Sequence, residues 1–201
     1  MKPHEMDKLT AHFNKYFKQP DPTVLHMTVE TTPHVDVLIY PPNEDYPFWK
    51  LVTMGASDFK MPKLQGAVSD RNEYIMFVDP SEDLTDKNVV NFYHNSLLEV
   101  AFYPPSSGKA ITYGHSLEWE QAEDSDMIGA YIEFPQMIED TGILRCKLGL
   151  MKTVACLQVV LITREETDKL LEIGPEQFSY FLYPEEGRPH FISERRRSDK
   201  F

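Results

Sequence analysis

His34 and Asp36 are the first residues whose types and spacing could do chemistry. Two apart on a strand, they share a face, so an imidazole and a carboxylate become neighbours. An acid–base pair or part of a metal site can be built that way. Either use needs a third ligand or a nucleophile, and none is signalled nearby. Structural hydrogen bonding is the plainer reading. Arg71 and Glu73 repeat the spacing, and pairing along or across a sheet is their default use.

Three further segments invite a chemical reading. Tyr113-Gly114-His115-Ser116 puts a histidine beside a serine. Adjacency does not make a nucleophile–base pair, because geometry decides that. The Gly-x-Ser-x-Gly elbow is missing. A loop in a partner-binding groove or an ordinary turn remains. Ser106-Ser107-Gly108-Lys109 superficially matches a phosphate-binding loop, but Tyr103 and Ala110 stand where the pattern needs Gly and Ser or Thr. Cys146 and Cys156 each lack a close second cysteine, so neither a zinc site nor a disulfide framework is expected. No catalytic residue, metal or cofactor is therefore expected. An enzyme reading survives only as a hydrolase using His34, Asp36 and His115, which requires the three to converge in one pocket.

Composition bounds the partner. Net charge is −12 over 201 residues. Nucleic-acid binding needs a basic footprint, so that partner is excluded. Between Ala110 and Leu144 lie eight acids (Glu118, Glu120, Glu123, Asp124, Asp126, Glu133, Glu139 and Asp140) and no Lys or Arg. Such a stretch is either a solvated face or a docking surface for a basic protein, whose association rate it would raise. No apolar run reaches the roughly 18 residues of a membrane span. The start, Met1-Lys2-Pro3-His4-Glu5, shows no apolar signal segment. These features predict a cytoplasmic protein with no membrane partner.

The elements that must position these groups follow from periodicity. Leu9, Phe13, Tyr16 and Phe17 predict an amphipathic helix over 6–18. Strands are predicted over Val24–Glu30, His34–Tyr40, Phe48–Met54 and Arg71–Val78. Asp86–Phe102 predicts a helix capped by Thr85 and broken by Pro104-Pro105. Short strands follow around Ala110–Tyr113, Ala130–Phe134 and Leu144–Leu150. Thr153–Ile162 is apolar except for Thr153 and Gln158 and reads as a central strand covered on both faces. Thr163-Arg-Glu-Glu166 is a capping box that opens a helix to Leu171, and Pro175–Leu182 is a second short helix. Successive strands predict an α+β fold with a mixed, mostly antiparallel sheet. The whole chain, 1–201, reads as one domain with its core at about 25–182 and a frayed basic tail at 188–201.

Taken in order, several of these segments resemble the suppressor of fused family, specifically its bacterial single-domain members. The series is His34-Val-Asp36-Val, Leu51-Val-Thr53-Met-Gly55-Ala-Ser57, Arg71-Asn-Glu73-Tyr, Gly114-His115-Ser116-Leu117-Glu118-Trp119, and Leu157-Gln158-Val-Val-Leu-Ile-Thr163. The resemblance implies a domain matching the N-terminal half of the animal protein, a non-enzymatic regulator that holds a peptide as an added strand. In that pattern an acidic residue follows the glycine equivalent to Gly114; here it is His115, so the animal ligand does not carry over. Trp119 keeps its distance from Gly114, which implies the loop is retained. Bacterial relatives resemble immunity proteins or antitoxins.

The resemblance therefore implies that His34, Asp36, Thr53, Gly55, Ser57, Arg71, Glu73 and Gln158 form a structural framework. Tyr113, Gly114, His115, Glu118 and Trp119 are the candidate partner-binding residues. The expected function is protein binding, with a basic toxin as partner and the chain as its immunity protein. The alternative is a regulatory scaffold that binds a partner peptide by strand addition.

Overall fold

The computed structural model describes residues 1–183 and 189–197 of the 201. Helix α1 spans Pro3–Phe17. Its first turn tolerates Pro3, whose missing N–H has no helical partner there. Leu9, Phe13 and Phe17 recur every four residues and are fully buried against Leu38, Tyr40 and Phe77. Each such side chain stabilises the fold by about 1.5–3 kcal/mol.

Among the described residues nine strands form one sheet: β1 Thr23–Leu25, β2 Asp36–Tyr40, β3 Trp49–Met54, β4 Asn72–Val78, β5 Ser116–Glu118, β6 Gly129–Glu133, β7 Arg145–Lys147, β8 Thr153–Ile162 and β9 Ile192–Ser193. Their spatial order is β1-β2-β3-β4-β8-β6-β5, with β7 also on β8 and β9 on β4. Only the pairs β4–β8 and β4–β9 are parallel. The fold is α+β with a mostly antiparallel sheet. Helix α2, Lys87–Ser107, covers one face through Tyr93, Leu97 and Val100. On the other face lie α1, α3 (Arg164–Ile173) and α4 (Pro175–Phe181).

The middle of the sheet has a gap that the end of the chain fills. β4 and β8 pair only from Asn72–Ile75 to Ala155–Gln158. Beyond that point β9 takes over on β4, at Phe77 and Val78. Ser193 Oγ accepts the Leu161 N–H of β8 at 3.2 Å. The returning segment thus wedges between the two central strands.

For residues 189–197 this placement corrects the reading of 188–201 as a frayed tail. Arg195 pairs with Glu82 at 2.9 Å and with Asp124 at 3.1 Å. Arg197 reaches the fully buried Glu166 at 3.0 Å. A tail anchored by backbone and buried charge does not fray. Arg188 and residues 198–201 lie outside the described residues.

Other boundaries also moved. The strand predicted over Val24–Glu30 stops at Leu25, because the Met27 N–H turns to Asp36 Oδ1 at 3.0 Å and leaves the ladder. No strand forms at Ala110–Tyr113: the Asn72 side chain takes the Ile111 carbonyl at 2.9 Å. Only Arg145–Lys147 of Leu144–Leu150 is strand, since Leu144 ends a 3₁₀ turn capped by Asp140. Asp86 caps α2, accepting from Asn88 N at 2.7 Å, while the Thr85 hydroxyl donates to Asp83. Pro104-Pro105 do not break that helix. They sit in its last turn, and Gly108, left-handed at φ 69°, closes it with an N–H to the Pro104 carbonyl.

Candidate functional site

Glu73 organises the framework. It is fully buried on β4 and collects five donors from the β3 end and the loop after it. Thr53 Oγ1 and Ser57 Oγ donate at 2.7 Å, the Gly55 and Ser57 amides at 3.0 Å, and the Ala56 amide at 3.2 Å. Burial pushes the Glu73 carboxyl up, and these donors pull against it. Arg71 lies beside it and donates to the Ser57 and Asp58 carbonyls at 2.6 and 3.0 Å. Arg71, just before β4, and Glu73 within it therefore grip the same loop. Gly55 enables the turn: its φ is 122°, and a Cβ there would stand 2.0 Å from the His34 carbonyl oxygen. Gln158 ties two other segments together, accepting from Gln136 N at 3.1 Å and donating to the Phe191 carbonyl at 2.6 Å.

His34 and Asp36 also meet. His34 Nε2 lies 3.3 Å from Asp36 Oδ1, and His26 Nδ1 lies 3.3 Å from Oδ2. Asp36 thus fixes the segment between β1 and β2. His115 lies beyond the other end of the sheet, next to β5, five strand spacings from β2. At about 4.8 Å per spacing that separation is on the order of 20 Å. The hydrolase reading that joined His34, Asp36 and His115 is overturned by this distance. Among the described residues no group of three His, Cys, Asp or Glu side chains is arranged to hold a metal ion. Both cysteines are free and buried, and burial pushes the Cys146 thiol up to about 11.

Tyr113, Gly114, His115, Glu118 and Trp119 gather at one edge. Gly114, at φ 84° and close against Pro175, turns the chain into β5. The Trp119 N–H donates to Ile128 O at 2.8 Å, and the His115 carbonyl accepts from Ile132 N at 2.8 Å. Backbone groups alternate along an antiparallel strand, so those of Ser116 and Glu118 face away from β6. Ser116 and Glu118 are exposed, and among the described strands β5 ends the sheet. Leu117 and Trp119 turn to the α2 face. With Phe102 and Tyr103 of α2 they line a groove of about 220 Å³, whose rim carries Glu99 and Glu118. Glu118 pairs with Arg164 at 3.0 Å, both exposed.

Sequence reasoning missed two buried acids. Glu166, read only as a helix-cap residue, binds His190 at 2.9 Å and Arg197 at 3.0 Å. Glu133, counted only as part of an acidic stretch, is fully buried at the end of β6. Its carboxylate accepts from Phe134 N at 2.7 Å, from Gln136 Nε2 at 3.3 Å and from the Ser179 hydroxyl. Burial pushes the Glu133 carboxyl up. The signal available in the sequence was an acid two residues after Tyr131 in an otherwise apolar strand, and therefore on the same inward face.

The profile described as Suppressor of fused protein (SUFU) matches residues 31–197. Solved structures with the same fold include one of the Sufu–Fu complex, at 16% identity and TM-score 0.64, covering 92% of this chain and 86% of that one. A suppressor of fused homolog from Neisseria gonorrhoeae FA 1090 matches at 15% identity and TM-score 0.66, covering 94% and 98%. Drosophila Suppressor of Fused matches at 17% identity and TM-score 0.64, covering 92% of this chain and 50% of that one. A search of curated proteins by sequence gives no significant match.

Proposed function

The chain belongs to the suppressor of fused family, and from that premise we propose that it is a non-enzymatic protein-binding domain whose partner adds a strand to the open edge of β5. The observation that carries this reading is the edge itself. The backbone of Ser116 and Glu118 faces outward and is unpaired among the described residues, beside a groove lined by Phe102, Tyr103, Leu117 and Trp119. Strand addition draws affinity from such main-chain groups and specificity from pockets that take alternate side chains. A protein partner is also what one matching structure contains, that of Sufu with Fu. The candidate binding residues Tyr113, Gly114, His115, Glu118 and Trp119 all belong to this edge or the turn into it.

The finer reading is an immunity-type protein that masks a basic toxin in the cytoplasm. Its support is the acidic stretch that follows the edge, with Glu118, Glu120, Glu123 and Asp124 close to β5 in the chain. Two buried free thiols suit a reducing compartment.

Ser116→Pro tests strand addition. It removes an outward N–H where proline is tolerated. Loss of partner capture by a folded variant supports the reading; capture equal to wild type rejects it. A rescue assay with neighbouring toxin genes tests the finer claim, which fails if unrelated basic proteins bind equally well.

A further inference from the structure

A second cavity lies beside the β5 edge on the opposite face of the sheet. It encloses about 770 Å³ and is floored by Glu133, with Tyr113, Phe134 and Tyr180 among its walls and Glu176 at its rim. Tyr113 and Phe134 stack at 4.6 Å with their planes 4° apart. Among the described residues no Lys or Arg lines it. The Glu133 carboxylate is fully buried, yet all of its described partners are neutral donors: an amide, a side-chain amide and a hydroxyl. A buried charge without a counter-ion is costly, and it is offset by a proton or by a cation that enters from outside. Aromatic faces around an acid favour that cation further, because the ring quadrupole attracts positive charge.

We propose that this pocket receives one arginine side chain of the partner polypeptide that pairs with β5. The inference rests on the strand-addition reading for the identity of the occupant, though not for the chemistry of the pocket. Arginine fits better than lysine. Its flat, weakly hydrated guanidinium stacks on rings, and its fork of donors can reach more than one acceptor. Glu133 and Glu176 supply the charge, and the Tyr113–Phe134 pair supplies the flat wall. The geometry also sets the spacing in the partner. Ser116 stands opposite Tyr131, whose side chain lies on the α4 face, and Leu117 stands opposite Ala130, which lies on the α2 face. Neighbouring residues of an added strand alternate between these faces. The arginine and the apolar residue seated in the groove therefore stand an odd number of positions apart.

The test is an NMR titration of the full chain that follows the Phe134 amide, which donates to Glu133. Three probes are used: a blocked hexapeptide of alternating Thr and Val carrying one arginine, the same peptide with citrulline, and ethylguanidinium. The arginine peptide is expected to shift Phe134 saturably, with citrulline binding about tenfold more weakly or worse, since a charge-assisted contact is lost. Glu133→Gln should weaken the arginine peptide about tenfold as well. Glu176→Gln, at the pocket rim, gives a second reading of the same loss should the first variant fold poorly. Equal binding of the citrulline peptide, or no saturable Phe134 shift, overturns the pocket. Ethylguanidinium binding as tightly as the peptide overturns the partner side chain as occupant in favour of a small free cation. Ser116→Pro separates the two readings: it should weaken the peptide to the level of ethylguanidinium and leave ethylguanidinium itself unchanged. If the peptide is unaffected while citrulline still discriminates, strand addition fails and the pocket stands.

Discussion

Arg197 donates to Glu166 at 3.0 Å in a place where the Glu166 side chain is fully buried and that of Arg197 is 6% exposed. The same guanidinium donates to the Leu161 carbonyl at 3.0 Å. The contact joins the last described residue to the start of α3 and the end of β8. It holds β9 in the gap between the central strands.

Removing the arginine leaves a buried acid with less compensation. Arg197→Ala should destabilise the fold by about 3 kcal/mol, the usual scale for breaking a buried pair. Urea unfolding measures it. Amides of Ile192 and Ser193 should exchange faster than those of β2, because β9 loses its anchor. A loss of under about 0.5 kcal/mol would place the pair among ordinary surface contacts.

Glu166 and Glu133 give stability opposite slopes with pH. Burial pushes Glu166 up, but His190, Arg197 and the Thr163 amide outweigh it, and its carboxyl sits below the usual 4.5. Its stabilisation is present above pH 4.5 and is lost as pH falls through the folded value. Glu133 is held above 4.5. Its contribution is present below pH 4.5 and declines as pH rises through the folded value. Glu166→Gln should flatten the acid limb of a stability profile. Glu133→Gln should reduce the decline on the alkaline side without abolishing it, because Glu73 is raised as well.

The loop after β3 should fail as a unit. Glu73→Gln turns an amide NH₂ toward amides that need an acceptor and should cost about 3 kcal/mol. Gly55→Ala forces a Cβ to within 2.0 Å of the His34 carbonyl oxygen and should cost about as much. Since both act on one loop, the double variant should lose less than the sum. Denaturant midpoints of the four proteins measure the coupling, and strict additivity would contradict a shared role.

Salt separates the two partner readings. A complex built on main-chain pairing at β5 should lose less than about tenfold in affinity between about 0.05 and 0.5 M salt, because buried hydrogen bonds are little screened. Ser116→Pro should abolish it while changing unfolding free energy by under about 1 kcal/mol. A complex driven mainly by the acidic stretch should show the reverse: a steep salt dependence and little response to Ser116→Pro.

Much of this architecture can be read in the sequence, since its signals are local. The four-residue spacing of Leu9, Phe13 and Phe17 fixes the buried stripe of α1, and Thr163 with Glu166 forms the capping box of α3. Thr153–Ile162 is apolar enough to require cover on both faces, and it lies at the centre of the sheet. The errors were local rules applied where a distant side chain claimed the backbone: Asp36 at Met27, and Asn72 at Ile111.

The sequence by itself determined the fold class, the resemblance to the suppressor of fused family, and the acidic balance of the chain. Periodicity, capping and net charge are properties of neighbours along the chain or of the whole composition. Only the tertiary structure decided that Glu73 gathers five donors, that His115 stands far from His34 and Asp36, that β9 closes the gap in the sheet, and that Glu133 floors a pocket with no counter-ion among the described residues. Each depends on which strands lie side by side. That order is set by long-range pairing, so no window of sequence contains it.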